Sequence, residues 1–201
     1  MRYKAGFVVV AIVVAATACG SSSKSSTAHP ETPGTVGRRV SASEASRSAA
    51  LVEKALVDAG KGNTKLAKRE FEAAVEHNAN NKFGWYNLGV IASSAKDLKT
   101  AGTDYKNAIT IDPHFQSALY NYGILLVADD LNQAIDYLAA AVRENDKDPN
   151  AHWHLGLALA QRNNGTDSAR STVELNKALK LNPRLVAGGA TPPSTATSSP
   201  K

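Results

Sequence analysis

The stretch that decides the fold runs from Trp85 to Pro113 and reads WYNLGVIASSAKDLKTAGTDYKNAITIDP. Its first half repeats apolar and small residues at the spacing of one helix face, namely at Trp85, Leu88, Gly89 and Ala92. Its second half does the same at Ala101, Tyr105, Ala108 and Ile109. Pro113 ends the second helix, and the small residues allow the two helices to approach closely. The stretch therefore predicts an antiparallel helical hairpin.

The same spacing recurs at a nearly fixed period. Gly123 lies 34 residues after Gly89, Gly156 lies 33 after Gly123, and Ala55 lies 34 before Gly89. The order of residues resembles the tetratricopeptide repeat, whose pattern is W-x2-L-G-x2-Y, then A-x3-F, then P. The second copy carries this pattern at Trp85, Leu88, Gly89, Ala101, Tyr105 and Pro113, with Ala92 where an aromatic residue is usual.

The resemblance implies an all-α fold, an α-solenoid of about four helical hairpins that follow a right-handed superhelix. The domain is predicted over residues 41–186, and its first helix is predicted to begin near Ser41 or Ser43, either of which suits an N-cap. The repeats are predicted at about 48–81, 82–115, 116–148 and 149–186.

The first and last repeats depart from the family pattern. The first carries Lys54 and Asp58 on its apolar face, and polar residues suit the end of an array because no further repeat covers it. The fourth has His152 where a large apolar residue is usual. Its turn, residues 161–166, holds about three extra residues and is expected to be mobile.

The first 18 residues are typical of a signal peptide. Arg2 and Lys4 give a positive end, residues 5–16 are apolar, and Ala16-Thr17-Ala18 supplies the small residues of a cleavage site. The apolar run is too short to cross a bilayer, which takes about 20 residues.

Cys19 follows this site directly and is the only cysteine in the chain. The sequence ATACG resembles a bacterial lipoprotein signal, in which the cysteine is thioether-linked to diacylglycerol and becomes the new N-terminus. This resemblance implies export and a lipid anchor at Cys19 on a bacterial membrane surface, where two or more acyl chains hold stably. The alternative is an ordinary secretory signal that ends near a thiol.

The remaining segments outside the repeats are rich in Ser, Thr, Gly and Pro. Residues 19–40 are predicted to be a flexible tether after the lipidated cysteine, and residues 187–201 a disordered tail, because neither has enough apolar surface to pack.

The net charge of +5 does not come from the repeats, since residues 48–186 hold 16 basic and 16 acidic side chains. A neutral exported domain argues against nucleic acid as a partner. No nucleophile elbow, phosphate-binding glycine loop or HExxH motif occurs, so we expect neither catalysis nor a cofactor. His152 and His154 are spaced i, i+2 and point to nearly opposite sides of a helix, and His114 is expected to be solvated, so we expect no metal site.

The resemblance to tetratricopeptide proteins places a ligand on the inner surface, which the first helices of the hairpins line. Nine residues flank the Leu-Gly pairs there: Tyr86, Asn87, Val90, Tyr120, Asn121, Ile124, Trp153, His154 and Leu157. Two interpretations of these residues stay open, because Tyr-Asn-Leu-Gly is close to the average sequence of the family. The residues indicate either a generic, well-formed repeat or a surface selected for one particular ligand. Trp153 is predicted to be the strongest single contact.

None of these nine residues is Lys or Arg, which argues against capture of a C-terminal carboxylate. An apolar and amide-lined groove suits an extended or helical segment of another protein. We therefore expect a non-catalytic scaffold or adaptor in cell-envelope assembly. The alternative is a carrier of a small or lipidic ligand in the groove.

The C-terminal edge is the last feature that the sequence brings out. Leu181 occupies the register position of Ile111 but has no further repeat to pack against. We expect either Leu185 and Val186 to fold back over it, or another chain to cover it, which would make the protein a homo-oligomer.

Overall fold

The computed structural model describes residues 40–188, and within them the chain forms eight α-helices, a short 3₁₀ segment and no β-strand. The predicted signal peptide, the lipidated Cys19, the tether up to residue 39 and the tail beyond residue 188 lie outside these residues. No helix in the described part is both long enough and apolar enough to cross a membrane. The helices are α1 Ala42–Gly60, α2 Thr64–His77, α3 Lys82–Ser94, α4 Leu98–Ile111, α5 Gln116–Leu126, α6 Leu131–Glu144, α7 Pro149–Arg162 and α8 Asp167–Leu181, and the 3₁₀ segment is Pro183–Gly188.

Consecutive helices pair into four hairpins, α1 with α2, α3 with α4, α5 with α6 and α7 with α8, and each hairpin packs on the next. The core is a row of apolar clusters, and each of the later first helices contributes a residue to the cluster of the preceding hairpin. Leu88, Tyr122 and Leu155 are those residues. The predicted all-α solenoid of four hairpins is confirmed.

The glycine of each Leu-Gly or Tyr-Gly pair marks the place where the two helices of a hairpin come closest. A Cβ atom on Gly89 would lie 2.7 Å from the ring of Tyr105. Equivalent Cβ atoms on Gly123 and Gly156 would lie 2.9 Å from Cγ of Leu138 and 2.7 Å from Cγ of Leu175. These distances are below van der Waals contact, so larger residues would push the paired helices apart.

Side-chain caps fix where the helices begin. Ser41 is the N-cap of α1 and forms a capping box with Glu44. The carboxylates of Asp97, Asp130 and Asp148 accept from backbone N–H groups at the starts of α4, α6 and α7.

The turns between hairpins also repeat. In each, an Asn or Asp side chain accepts from the backbone N–H two residues later. These residues are Asn78, Asp112, Asn145 and Asn182, with N–O distances of 3.0 to 3.1 Å. The last of them follows the fourth hairpin, so the same turn is made there and leads into the 3₁₀ segment.

The long turn of the fourth hairpin is closed by a salt bridge. The guanidinium of Arg162 donates to both oxygens of Asp167, with N–O distances of 2.7 and 2.8 Å, and the backbone N–H of Asn164 donates to the same carboxylate at 3.0 Å. The guanidinium lowers the pKa of Asp167 to about 2. α7 extends to Arg162, so the segment expected to be mobile begins two residues later than predicted and is held at both ends.

Charged side chains lie on the N-terminal edge of the array. Lys54 stands in the register of Leu88, Tyr122 and Leu155, but the structure describes no hairpin before it. Its ammonium donates to Glu70 of α2, and Asp58 lies 3.8 Å away. Polar residues therefore occupy the face that apolar residues occupy in the other three hairpins.

The C-terminal edge is closed by the chain itself. Leu185, in the 3₁₀ segment, packs against the cluster that contains Trp153 and Leu175. The expected fold-back is therefore seen for Leu185, but Leu181, which it was expected to cover, is 40 % exposed. The side chain of Val186 lies outside what the structure describes.

Candidate protein-binding face

The nine residues predicted to line the groove lie on three successive first helices, α3, α5 and α7. We call them the first-helix face. Eight of the nine are partly exposed, and Trp153 alone is buried. Each apolar member also packs against a core cluster, so the face is the accessible edge of the hairpin cores and not a separate layer.

A hydrogen bond joins the second and third repeats on this face. The amide nitrogen of Asn121 donates to the hydroxyl of Tyr86 at 3.1 Å. The ring of Tyr86 also packs edge-on against Phe115, with centroids 5.2 Å apart. Burial raises the pKa of Tyr86, so its hydroxyl stays neutral at physiological pH. The bond leaves the carbonyl oxygen of the Asn121 amide with no protein donor among the described residues.

A second contact joins the third and fourth repeats. The hydroxyl of Tyr120 lies 3.0 Å from Nδ1 of His154, and the same nitrogen lies 2.9 Å from the backbone carbonyl of Asn150. One Nδ1–H therefore points at two oxygens, which leaves the Tyr120 hydroxyl proton free to be donated elsewhere. Burial lowers the pKa of His154, so the imidazole is neutral near pH 7.

Asn87 is less available than Asn121. Its amide nitrogen donates to the backbone carbonyl of Phe83, one helical turn earlier, at 2.8 Å. This local bond fixes the direction of the amide and uses one of its two donor hydrogens. The carbonyl oxygen of Asn87 remains the group that a partner backbone N–H would meet.

Trp153 is placed differently from what the sequence predicted. Its side chain is 5 % exposed and belongs to the cluster with Leu175 and Ala178, against which Leu157 and Leu185 also pack. A ring with so little accessible surface cannot act as the main contact unless the C-terminal segment moves. One contribution that the pattern of a single repeat does not contain is Leu185, which packs against this cluster from the 3₁₀ segment.

The structure adds an aromatic pair that the sequence pattern missed. Phe83 is 47 % exposed, and its ring packs edge-on against Phe115 with centroids 5.5 Å apart. The ammonium of Lys82 lies 5.1 Å from both ring centroids and pairs with Asp112. The sequence did contain a signal for this pair. Phe83 is the second residue of a first helix, a position that the repeat pattern does not require to be apolar.

His152 is part of the protein interior. It is 1 % exposed, with Nδ1 at 2.5 Å from a carboxylate oxygen of Glu174 and Nε2 at 3.0 Å from the backbone carbonyl of Asp146. Its departure from the apolar pattern is therefore matched by an acidic partner on α8. His114 is well exposed, as expected, and pairs with Glu144. No group of three potential metal ligands occurs among the described residues.

Two family models described as tetratricopeptide repeat match the chain, one over residues 84–115 and one over residues 116–175. Comparison with curated protein sequences gives no match. The second, third and most of the fourth hairpin are tetratricopeptide repeats, and the eight-helix domain has the tetratricopeptide-repeat fold.

Several solved structures share this fold. YrrB, described as a TPR protein with an unusual peptide-binding site, is 22 % identical with a TM-score of 0.57, and the match covers 72 % of this chain and 73 % of YrrB. MamA from Desulfovibrio magneticus RS-1 is 21 % identical with a TM-score of 0.59, covering 70 % and 78 %. An O-GlcNAc transferase from Thermobaculum terrenum is 24 % identical with a TM-score of 0.54, covering 59 % of this chain but only 23 % of the enzyme. At these identities the likeness concerns the fold.

Proposed function

We propose that this protein is a non-catalytic scaffold that binds an extended or helical segment of another protein along the first-helix face. The observation that carries the proposal is the row of neutral polar groups that cross-repeat contacts hold in place. Asn121 is oriented by Tyr86, and Tyr120 is oriented by His154. Groups that are already fixed lose little entropy when a partner binds.

The chemistry of the face indicates what kind of segment it binds. Its members are aromatic, aliphatic or amide-bearing, and its one titratable imidazole is neutral near pH 7. Such a surface offers stacking and backbone hydrogen bonds but no charge for a terminal carboxylate. YrrB, which shares the fold, is described as having a peptide-binding site.

The alternative, a carrier of a small or lipidic ligand, gains no support from the structure. A shallow depression lined by Gly62, Asn63, Thr64, Lys65 and Leu66 lies at the turn of the first hairpin. None of the nine residues of the first-helix face lines it. The likeness to the O-GlcNAc transferase covers 23 % of that enzyme and concerns the fold alone.

We further propose that the protein is exported and anchored to a bacterial membrane by lipid on Cys19, and that it acts in envelope assembly. The support is the basic start, the apolar run, the small residues before Cys19 and the absence of any other thiol. Replacing Cys19 with Ser and fractionating the cells tests the anchor. Loss of the protein from the detergent phase is expected, and its retention there contradicts the proposal.

Partner binding is tested by crosslinking the full chain in cells, isolating the partner and comparing variants for affinity. Asn121→Ala removes one oriented amide, and Phe83→Ala removes an exposed ring on α3 that packs against Phe115, the neighbour of Tyr86. We expect each to weaken binding by about 5- to 30-fold. Lys106→Ala, on the exposed side of α4, is the matched control and leaves the affinity unchanged. Circular dichroism confirms that all three variants fold.

Two outcomes would move the site elsewhere. Equal affinity of the three variants and the parent chain would exclude the first-helix face. A steep loss of affinity as salt rises would show that charged groups dominate, since a neutral face gives little salt dependence.

A further inference from the structure

The outward side of α8 carries a stripe of cations and exposed apolar residues. We call it the basic stripe, and its members are Arg170, Val173, Lys177, Lys180 and Leu181. Their spacing of i, i+3, i+7, i+10 and i+11 places them within an arc of about 100° on the helix. The opposite side of α8 holds Ser171, Leu175 and Ala178 in the core.

The same five register positions differ in the other second helices. α2 has one cation and one acid besides His77, α4 has no charged residue, and α6 has one cation and two acids. The net charge of this arc, with histidine neutral, is therefore zero, zero, −1 and +3 from the first hairpin to the fourth. The residues compared are, in α2, Leu66, Arg69, Ala73, Glu76 and His77; in α4, Thr100, Thr103, Asn107, Thr110 and Ile111; in α6, Gln133, Asp136, Ala140, Arg143 and Glu144.

The acids close to the basic stripe mostly form hydrogen bonds or salt bridges with residues outside it. Asp167 is held by Arg162, and Glu174 by the buried His152. Asp146, in the turn before α7, pairs with Lys177. Arg170 and Lys180 form no salt bridge within residues 40–188 and both are exposed, although the charge of Arg170 also acts on Asp167, whose pKa it helps to lower.

The apolar members decide between possible anionic partners. Val173 is 62 % exposed and Leu181 is 40 % exposed, and they alternate with the cations along the stripe. A nucleic acid or an acidic protein loop would use the cations and leave these two side chains in water. A bilayer surface uses both, because cations meet the headgroups while short apolar side chains enter the boundary with the acyl chains.

We propose that the basic stripe of α8 docks on the surface of a bilayer that contains anionic phospholipid. The docking does not require lipidation at Cys19, so it stands or falls separately from the proposed anchor. If both hold, the anchor raises the local concentration of the stripe at the surface, and α8 fixes how the domain lies on it. Binding of partners then takes place on a domain of defined orientation.

A tryptophan placed at position 173 tests the contact in the full chain. The Val173→Trp variant is mixed with vesicles in which the phospholipid acyl chains are brominated, and quenching of its fluorescence reports insertion. The matched control is Thr103→Trp, which places the ring at the same register position of α4. The parent chain, with Trp85 and Trp153, supplies the background signal in each case.

Quenching is expected for Val173→Trp when the vesicles contain phosphatidylglycerol, and not for Thr103→Trp. Adding Arg170→Gln and Lys180→Gln to the Val173→Trp chain should lower the docking equilibrium constant about 30-fold, since each cation near an anionic surface contributes roughly fivefold. Both positions are exposed, so these changes should not affect folding.

Three results would overturn the proposal. The first is no quenching of Val173→Trp at any phosphatidylglycerol content. The second is equal quenching with and without Arg170 and Lys180, or in pure phosphatidylcholine, which would leave the cations without a role. The third is charge-dependent binding to a soluble polyanion such as heparin without any quenching by lipid, which would assign the stripe to another class of partner.

Discussion

The two ends of the array are closed in different ways. At the N-terminal end, Lys54 pairs with Glu70 across the face that a preceding hairpin would cover. At the C-terminal end, Leu185 folds back onto the last core cluster. At the first end a lysine that pairs with Glu70 takes an otherwise apolar or aromatic position, whereas the second end keeps its apolar residues and packs Leu185 against them.

The difference matters for what each end can do. In this pair Lys54 is exposed but Glu70 is buried, so the cost of desolvating the carboxylate offsets much of the attraction and the pair adds little net stability. The second end ties the C-terminal segment to Trp153 and Leu157, both members of the first-helix face. Any movement of that segment would therefore change the accessible surface of the face, while the N-terminal end lies one hairpin away from it.

The largest expected effect comes from emptying the core of the first hairpin. Phe71 is 1 % exposed, so Phe71→Ala should cost about 3–5 kcal/mol of stability. Because each hairpin contacts only its neighbours, the loss should be local. Hydrogen exchange should show α1 and α2 unprotected while α5 to α8 stay protected. Uniform loss of protection in all eight helices would contradict the separate closure of the two ends.

A smaller effect is expected between the ends, at Asp104 of α4. Burial raises the pKa of this carboxyl to about 6, above its unfolded value near 3.9, and the nearby Asp97 adds to the shift. The charged form therefore destabilises the fold above pH 6, and stability should rise as the pH falls from about 7 to about 4. Asp104→Asn should stabilise by about 1–2 kcal/mol at pH 7.5.

Urea unfolding at two pH values checks this expectation. The gain from Asp104→Asn should disappear at pH 4, where the parent carboxyl is protonated in the folded state. Asp167 is the counterpart at the C-terminal end. Since the guanidinium of Arg162 lowers its pKa to about 2, its contribution is present above pH 4 and is lost only as the pH falls toward 2. If Asp104→Asn stabilises the protein equally at pH 4 and pH 7.5, Asp104 is charged in the folded state at both pH values.

The smallest expected effect is at the C-terminal cover. Leu185 is partly buried, so Leu185→Ala should cost about 1 kcal/mol and should increase the exposure of Trp153. A red shift in the Trp emission is the readout, with Arg184→Ala as the control in the same segment. If the wavelength of the Trp emission is the same in Leu185→Ala and in the parent chain, Leu185 does not cover Trp153 in solution and the apolar edge is open.

The solenoid could be predicted because its signals lie within one repeat. Gly89 and Gly123 occur where paired helices approach closely, and the apolar positions follow helical spacing. The role of Lys54 could also be predicted, since a polar residue in an otherwise apolar register is expected at the end of an array, where no further repeat covers it. The same reasoning placed eight of the nine predicted binding residues at partly exposed positions.

The features that could not be predicted depend on contacts between distant parts of the chain. Trp153 stands at the register position of Tyr86 and Tyr120, but it is buried in a cluster against which Leu185, from beyond the last hairpin, also packs. Phe115 lies outside the repeat pattern, yet it packs against both Phe83 and Tyr86. A hydrogen bond such as that between Asn121 and Tyr86 depends on how two hairpins stack, which the spacing of either hairpin alone does not fix.

The central claim, that partners bind the first-helix face, is tested most directly by photocrosslinking in cells. A photoreactive phenylalanine is placed in the full chain at position 87 or 121 of this face, and at position 106 on the exposed side of α4 as the control. We expect positions 87 and 121 to give the same protein adduct and position 106 to give none. An adduct at position 106 that is absent at positions 87 and 121 would contradict the claim and place the binding surface on the second helices.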